Sequence, residues 1–324
     1  MSNVDDPFVH ERGFLTLGGS ETYLLFLQGF ALQDFCAFEL FDDAQAFADF
    51  EQGFLRPTAD AALEHGMGLV LDCLVWRASP DWVVRRGHAL AELGAINTNA
   101  VARMRDFAER WRSDRGEAAA DLPIRLIGEI GPRGDGYALD PGARLDVEQA
   151  AAYHRPQIEA LASAGVHAIG ALTMTSVEEA VGIVRTAAEL GMPVFASPTV
   201  ETDGTLPDGS TLGEFIERVD EATDAAPLMY QVNCAHPTHL APTLHAASGV
   251  RPRWLSRIQA FRANASRLSH AELDESETLD AGDAVDLAAR VAKMREDFDL
   301  RIVGGCCGTD ATHMAAIASA CHGG

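Results

Sequence analysis

Eight short apolar runs punctuate this chain: Phe14–Leu17, Leu69–Trp76, Ile124–Ile130, Val166–Leu172, Val194–Val200, Leu228–Asn233, a weaker run Arg257–Arg262, and Leu300–Val303. Several are apolar throughout instead of alternating with polar residues, the pattern of parallel strands covered on both faces. Between them hydrophobic residues recur at helical spacing. Helices are predicted for Asp42–His65, for Pro80 to about Trp111 (Leu90, Leu93, Ile96, Val101 and Met104), for Val147–Ser163 and for Thr211–Thr223. Ser176-Val177-Glu178-Glu179 reads as a capping box opening a helix to Leu190, which Gly191 and Pro193 end. A short helix follows His236, and Thr309–Cys321 closes the chain as another. Arg112–Pro123 and the acidic Ser269–Asp283 read as solvated loops.

Strands alternating with helices predict the α/β class and a single (β/α)8 barrel spanning 1–324, with no Pro/Gly/Ser-rich linker or repeat to divide it. The rival is an open doubly wound sheet, which would place a glycine fingerprint at the start of a helix. His65-Gly66-Met67-Gly68 precedes a strand instead. In a barrel the functional groups gather at the C-terminal ends of the strands.

Composition narrows the partners. The net charge is -23 and Lys293 is the only lysine, so no basic patch exists to displace counterions from a nucleic acid. Met1–Glu11 is polar and acidic, unlike a signal peptide, and no apolar run reaches the roughly 18 residues of a membrane span. A soluble cytoplasmic protein is expected. No interface stripe stands out, leaving an oligomer open. Six cysteines in 324 residues do not make a disulfide scaffold and point to metal binding or catalysis.

The candidate chemistry lies in Leu300-Arg301-Ile302-Val303-Gly304-Gly305-Cys306-Cys307-Gly308-Thr309. Adjacent side chains diverge on a strand or a helix, so Cys306 and Cys307 converge on one ion only from a loop, which the three glycines supply. Catalytic zinc has three protein ligands and an open position. Cys234 is the other cysteine that directly follows a strand and opens a loop, which makes it the third ligand; His236 and His239 are alternatives. The blander reading of Cys306 and Cys307 is two small buried hydrophobes or a vicinal disulfide. Cys36, Cys73 and Cys321 lack a partner motif, and Cys73 is the one expected near the barrel mouth.

With these residues in view the chain resembles the homocysteine S-methyltransferases, zinc-dependent barrels that move a methyl group onto a thiol. The resemblance spans nearly the whole chain. It rests on Gly18-Gly19 with Glu21-Thr22, Ile130-Gly131-Pro132, His154-Arg155-Pro156, Asn233-Cys234 and Gly304-Gly305-Cys306-Cys307-Gly308-Thr309. Mapped by motif, it implies zinc on Cys234, Cys306 and Cys307, and two partners: a small thiol acceptor such as homocysteine, and a small methyl donor of onium or other type. Two family features are absent. The acidic residue before the first Gly-Gly is Leu17, and the glutamate after strand four is replaced around Leu172-Thr173-Met174.

A zwitterionic acceptor needs a negative partner for its ammonium group. Glu21, Glu129, Asp72 and Glu201 are the candidates, and Glu21 and Glu129 are favoured as strand-end residues. Gly18, Gly19, Asn233 and Trp76 complete the expected substrate site, Asn233 orienting the ligand loop and Trp76 with Tyr137 walling an onium donor. Two competing functions are a zinc hydrolase or lyase, against which three thiolates argue by weakening Lewis acidity, and a barrel that only binds zinc or thiols.

Overall fold

In the computed structural model, which describes residues 5–137 and 141–322, eight parallel strands close into one barrel in sequence order. They are β1 (Phe14–Leu15), β2 (Gly68–Asp72), β3 (Ile124–Ile130), β4 (Ala168–Met174), β5 (Val194–Pro198), β6 (Tyr230–Ala235), β7 (Ile258–Ala263) and β8 (Ile302–Gly305). Closure comes from β8 pairing with β1, Phe14 against Ile302 and Leu15 against Val303. Among the described residues no helix is long and apolar enough to cross a membrane.

The sequence pattern located all eight strands, and the differences lie at their ends. The run to Trp76 leaves the ladder at Asp72, so Trp76 sits on a loop over the mouth. The ladder of β6 runs past Asn233 and includes Cys234, which is a strand residue and does not open a loop as the pattern implied. The region after Pro80 is a short helix Pro80–Arg85 and a long one Leu93–Arg115. Ser269–Asp283 contains the helical turn His270–Asp274, and a full helix, Ala284–Phe298, follows it where none was read. Its buried face is Leu287, Ala288, Val291 and Met294. Ser176 caps its helix as expected, accepting from the Glu179 N–H, yet the Glu179 carboxylate does not return to the cap. It accepts from the Arg133 N–H at 2.8 Å and meets His154 Nε2 at 2.8 Å, tying the loop after β3 to two helices.

Two apolar clusters divide the core. One lies between the sheet and the helices. The other fills the barrel itself, with Phe14, Val70, Ile127, Phe195 and Ile302 from five strands and Met229 from just before β6. Phe8, from the segment before β1, closes the N-terminal end, edge-on to Phe14 at 5.8 Å and to Phe195 at 6.0 Å. Each such ring pair contributes about 0.5–1.5 kcal/mol beyond its buried area. Asp6 pairs with Arg301 at 2.7 Å, and Pro7 O accepts from Arg125 Nε, which pins that plug across the strand starts.

The rings fit because glycine stands beside them: a Cβ at Gly170 would lie 2.6 Å from the Phe195 ring and 3.2 Å from Ile127 Cγ2. Gly170→Ala is expected to cost about 1–3 kcal/mol by overpacking. Urea unfolding monitored by circular dichroism checks it, and an unchanged midpoint would mean that the plug of rings yields freely.

Candidate metal centre

Three thiols meet at the C-terminal mouth of the barrel. The Sγ atoms of Cys234, Cys306 and Cys307 lie within 4.8 Å of one another, and among the described residues they are the one group of histidine, cysteine and carboxylate side chains with metal-holding geometry. Local backbone brings them together. Cys234 has φ +58°, left-handed for a residue with a Cβ, at a register shift between Asn233 and Ala235 in the pairing of β6 with β7. Such strain persists only where the surroundings over-determine it. Here Ala235 O accepts from Asn264 N, and His270 Nε2 donates to Cys234 O at 2.9 Å.

The Cys306-Cys307 turn is held from both sides. Cys306 N donates to Ala263 O on β7, and Cys307 O accepts from Ala265 N. Thr309 closes the turn, its hydroxyl donating to Cys306 O at 2.7 Å. Gly18 and Gly19 lie flat against this turn: Gly19 N donates to Thr309 O, and a Cβ at Gly19 would stand 2.5 Å from Cys306 O. Gly308 takes φ +79° and donates its N–H to Thr22 Oγ1.

Asn233 is buried among partners on two strands and on the turn after β8. Its Oδ1 accepts from Thr173 N at 3.0 Å and from Ser197 Oγ at 2.6 Å, while its Nδ2 donates to Thr173 Oγ1 and faces Cys306 Sγ at 4.0 Å. Thr173, in the region where the family glutamate is replaced, also carries a positive φ of 61°. Sequence reasoning missed Asn264, whose Nδ2 is 3.9 Å from Cys234 Sγ, and assigned Tyr137 only to a donor wall. The Tyr137 hydroxyl in fact donates to Cys234 Sγ at 3.2 Å and lies 3.7 Å from Cys307 Sγ. Trp76 roofs the neighbouring loop, its Nε1 donating to Leu172 O and its carbonyl accepting from Gly131 N.

Charge at the mouth is lopsided. Asp72 and Arg262 pair at 2.7 Å, both almost wholly enclosed at 2% and 7% exposure, and Arg262 Nε also donates to Gly305 O. Glu201 stands 3.3 Å from His270 Nδ1. Glu129, 5% exposed, accepts from Val75 N at 3.2 Å but has no ion-pair partner among the described residues, and neither does Glu21. Burial, then the neighbouring Asp72 and Glu21 carboxylates, push Glu129 well above the ordinary carboxylate range. Burial raises Glu21 to about 7. Among the thiols, hydrogen bonds from Cys234 and Cys307 with the Arg262 charge nearby drive Cys306 strongly toward thiolate, and Cys234 and Cys307 are pushed up as the donors.

The histidines considered as ligands have other work. His236 caps the helix Pro237–Ser248, accepting from Thr238 N, and His239 Nε2 donates to Arg267 O. Cys73 is buried in the cluster outside the barrel, apart from the three thiols.

A sulfur-only donor set of three, one from β6 and two from the braced turn after β8, suits zinc better than oxygen-seeking ions. The family model described as homocysteine S-methyltransferase matches residues 40–321. No curated protein sequence matches the chain. Among solved structures it resembles the homocysteine methyltransferase MmuM from Escherichia coli: the oxidized form at 18% identity and TM-score 0.74 over 97% of this chain and 99% of that one, and the metallated form at 19% and 0.73 over 95% and 96%. The apo form follows at 16% and 0.67. At such identities the likeness establishes the fold alone.

Zinc is expected to bind stoichiometrically, and serine at any of the three cysteines to abolish that stoichiometry. Gly19→Ala, which crowds Cys306 O, is expected to weaken the affinity roughly 10- to 100-fold, the range for loss of a support to a metal ligand. Competition with a chromophoric chelator measures both, and a G19A protein that binds like the parent would show that the turn does not depend on this contact.

Proposed function

This chain belongs to the homocysteine S-methyltransferase family, and from that premise we propose that it transfers a methyl group from a small donor to the thiol of homocysteine, giving methionine, with zinc held by Cys234, Cys306 and Cys307. The supporting observation is the convergence of three thiols from β6 and the end of β8 on one point at the mouth. Zinc held by three thiolates would supply the positive charge that strips the proton from an incoming thiol at neutral pH, where a free thiol is mostly protonated, while leaving its sulfur electron-rich.

The chain's own residues then have separate tasks. Asn233 and Asn264 hold the sulfur-bearing backbone in place from the strand side. Gly18 and Gly19 brace the Cys306-Cys307 turn and line the floor of the acceptor site. Glu129 and Glu21, mouth carboxylates that form no ion pair among the described residues, receive the acceptor's ammonium group, whose charge would hold them ionised against the burial that raises them; Asp72 is already matched by Arg262. Trp76 supplies an apolar wall for the donor. The acceptor sulfur attacks the methyl carbon in line, a sulfur–carbon bond forms, and the donor's bond to that carbon breaks with its electron pair leaving on the donor. A cationic donor leaves neutral and needs no general acid. The net negative charge that three thiolates would leave around a divalent zinc favours such a donor. The whole chain serves as one barrel domain, and three uncrosslinked thiols suit a reducing cytoplasm.

Mass spectrometry of zinc-loaded protein given homocysteine and a donor panel (sulfonium, betaine-type and corrinoid) is expected to show methionine. No methionine from any donor would overturn the reading. Glu129→Gln is expected to lower kcat/KM for homocysteine roughly 10- to 100-fold, the loss of a hydrogen bond to a charged group. It should leave a thiol that lacks an ammonium group, such as 3-mercaptopropionate, almost unaffected. Equal losses on both thiols would remove Glu129 from ammonium recognition.

A further inference from the structure

Resting on the zinc reading of the thiol site, we infer that His270, oriented by Glu201, is a positioning residue for the proposed ligand Cys234: it holds that cysteine's carbonyl and so fixes the direction in which the thiol points. The need for such a group comes from the backbone. In the pairing of β6 with β7, Asn233 stands opposite Arg262 and Ala235 opposite Ala263, and Cys234 is passed over between them. A residue skipped in this way drops out of the ladder and re-aims its side chain, and its polar backbone groups need partners from elsewhere. His270 Nε2 supplies one by donating to Cys234 O at 2.9 Å. A left-handed φ of +58° at a residue with a Cβ persists only where its surroundings hold it, and this bond acts on the strained residue itself.

The other two thiols are braced differently. Cys306 and Cys307 are bound backbone to backbone, Cys306 N to Ala263 O and Cys307 O to Ala265 N, whereas the carbonyl of Cys234 is met by a side chain from the loop after β7. That side chain is itself fixed. His270 opens the helical turn His270–Asp274 behind the capping box of Ser269 and Glu272, and its side chain is 10% exposed. On the other edge of the ring, Glu201 Oε1 lies 3.3 Å from Nδ1. Glu201 comes from the loop after β5 and sits in a tight turn, its N–H donating to Thr205 O at 2.7 Å and its carbonyl accepting from Gly204 N at 2.9 Å. Gly204 seats that turn on the helix Pro237–Ser248, where a Cβ would collide with Thr243 Oγ1. The loops after β5 and β7 therefore close on the carbonyl of the strand between them. This places Glu201 with the support of the metal site, apart from the carboxylates that await an ammonium group.

The test follows zinc binding by the full chain in competition with a chromophoric chelator, together with the sulfur-to-metal charge-transfer absorption of the cobalt-substituted protein. Neither needs methyl transfer, so the result stands even if homocysteine proves not to be the acceptor. His270→Ala is expected to weaken zinc roughly 10-fold, the lower end of the range for loss of a support to a metal ligand, and to change the cobalt spectrum. His270→Gln keeps an N–H at the place of Nε2 and is expected to bind as the parent does. Both variants lose the packing of the imidazole on the Tyr137 ring at 4.7 Å, so the comparison isolates the bond to Cys234 O. Glu201→Ala should weaken zinc roughly threefold, the loss of one hydrogen bond, and Glu201→Gln, whose amide still meets Nδ1, should match the parent. If the parent binds no zinc, N-ethylmaleimide labelling of the metal-free chain, read by peptide mass spectrometry, reports the same displacement: the rate at Cys234 is expected to change in His270→Ala and not in His270→Gln. Parent-like behaviour of His270→Ala would overturn the inference. Equal losses in His270→Ala and His270→Gln would do so too, because they would trace to the packing of the ring.

Discussion

The mouth of this barrel depends on the seam where β8 closes against β1. Pairing Phe14 with Ile302 and Leu15 with Val303 carries the two chain directions forward in register, so that Gly18-Gly19 arrives against the turn that follows β8. The absence of side chains there lets two stretches of backbone touch, and the carbonyl of Cys306 occupies the space a Cβ would need. Without that contact the vicinal thiols would be free to splay, as neighbouring side chains ordinarily do. Arg262 adds a second constraint at the same seam by binding Gly305 O and Asp72 together.

The opposing thiol is placed by strain. Cys234 belongs to a ladder that continues beyond it, but its left-handed backbone turns the side chain out of the alternation. The cost, of order 1–3 kcal/mol for a residue in a sparsely populated region, is met by the hydrogen bonds that lock the residues on either side. Thr173 on β4 has the same handedness, and Asn233 bridges the two positions through Thr173 N and Oγ1. Two irregular strand ends thus support one another across the rim. The sulfur geometry therefore does not hinge on a single loop.

How far this was legible in the sequence follows from the range of the forces involved. Parallel strands buried on both faces advertise themselves as unbroken apolar runs, and eight of them alternating with helices left little choice of architecture. The cysteine triad was readable because glycine-flanked vicinal thiols and a strand-end cysteine are local signals. The helix Ala284–Phe298 was lost because acidic residues on its open face continue the charge of the preceding loop and hide the spacing of Leu287, Val291 and Met294. The left-handed turn at Cys234, the Asp72–Arg262 pair and the reach of Tyr137 to the sulfurs carry no local mark, since each joins residues distant in the chain. The expected capping role of Glu179 failed for the same reason: a buried partner, His154, competed for the carboxylate.

The aromatic stopper at the opposite end sets the traffic of the molecule. With Phe8 seated on Phe14 and Phe195, and inward side chains filling the cylinder above it, the fold is a blind well rather than a conduit. Whatever reaches the three sulfurs has to enter, and leave, by the rim where the strands end.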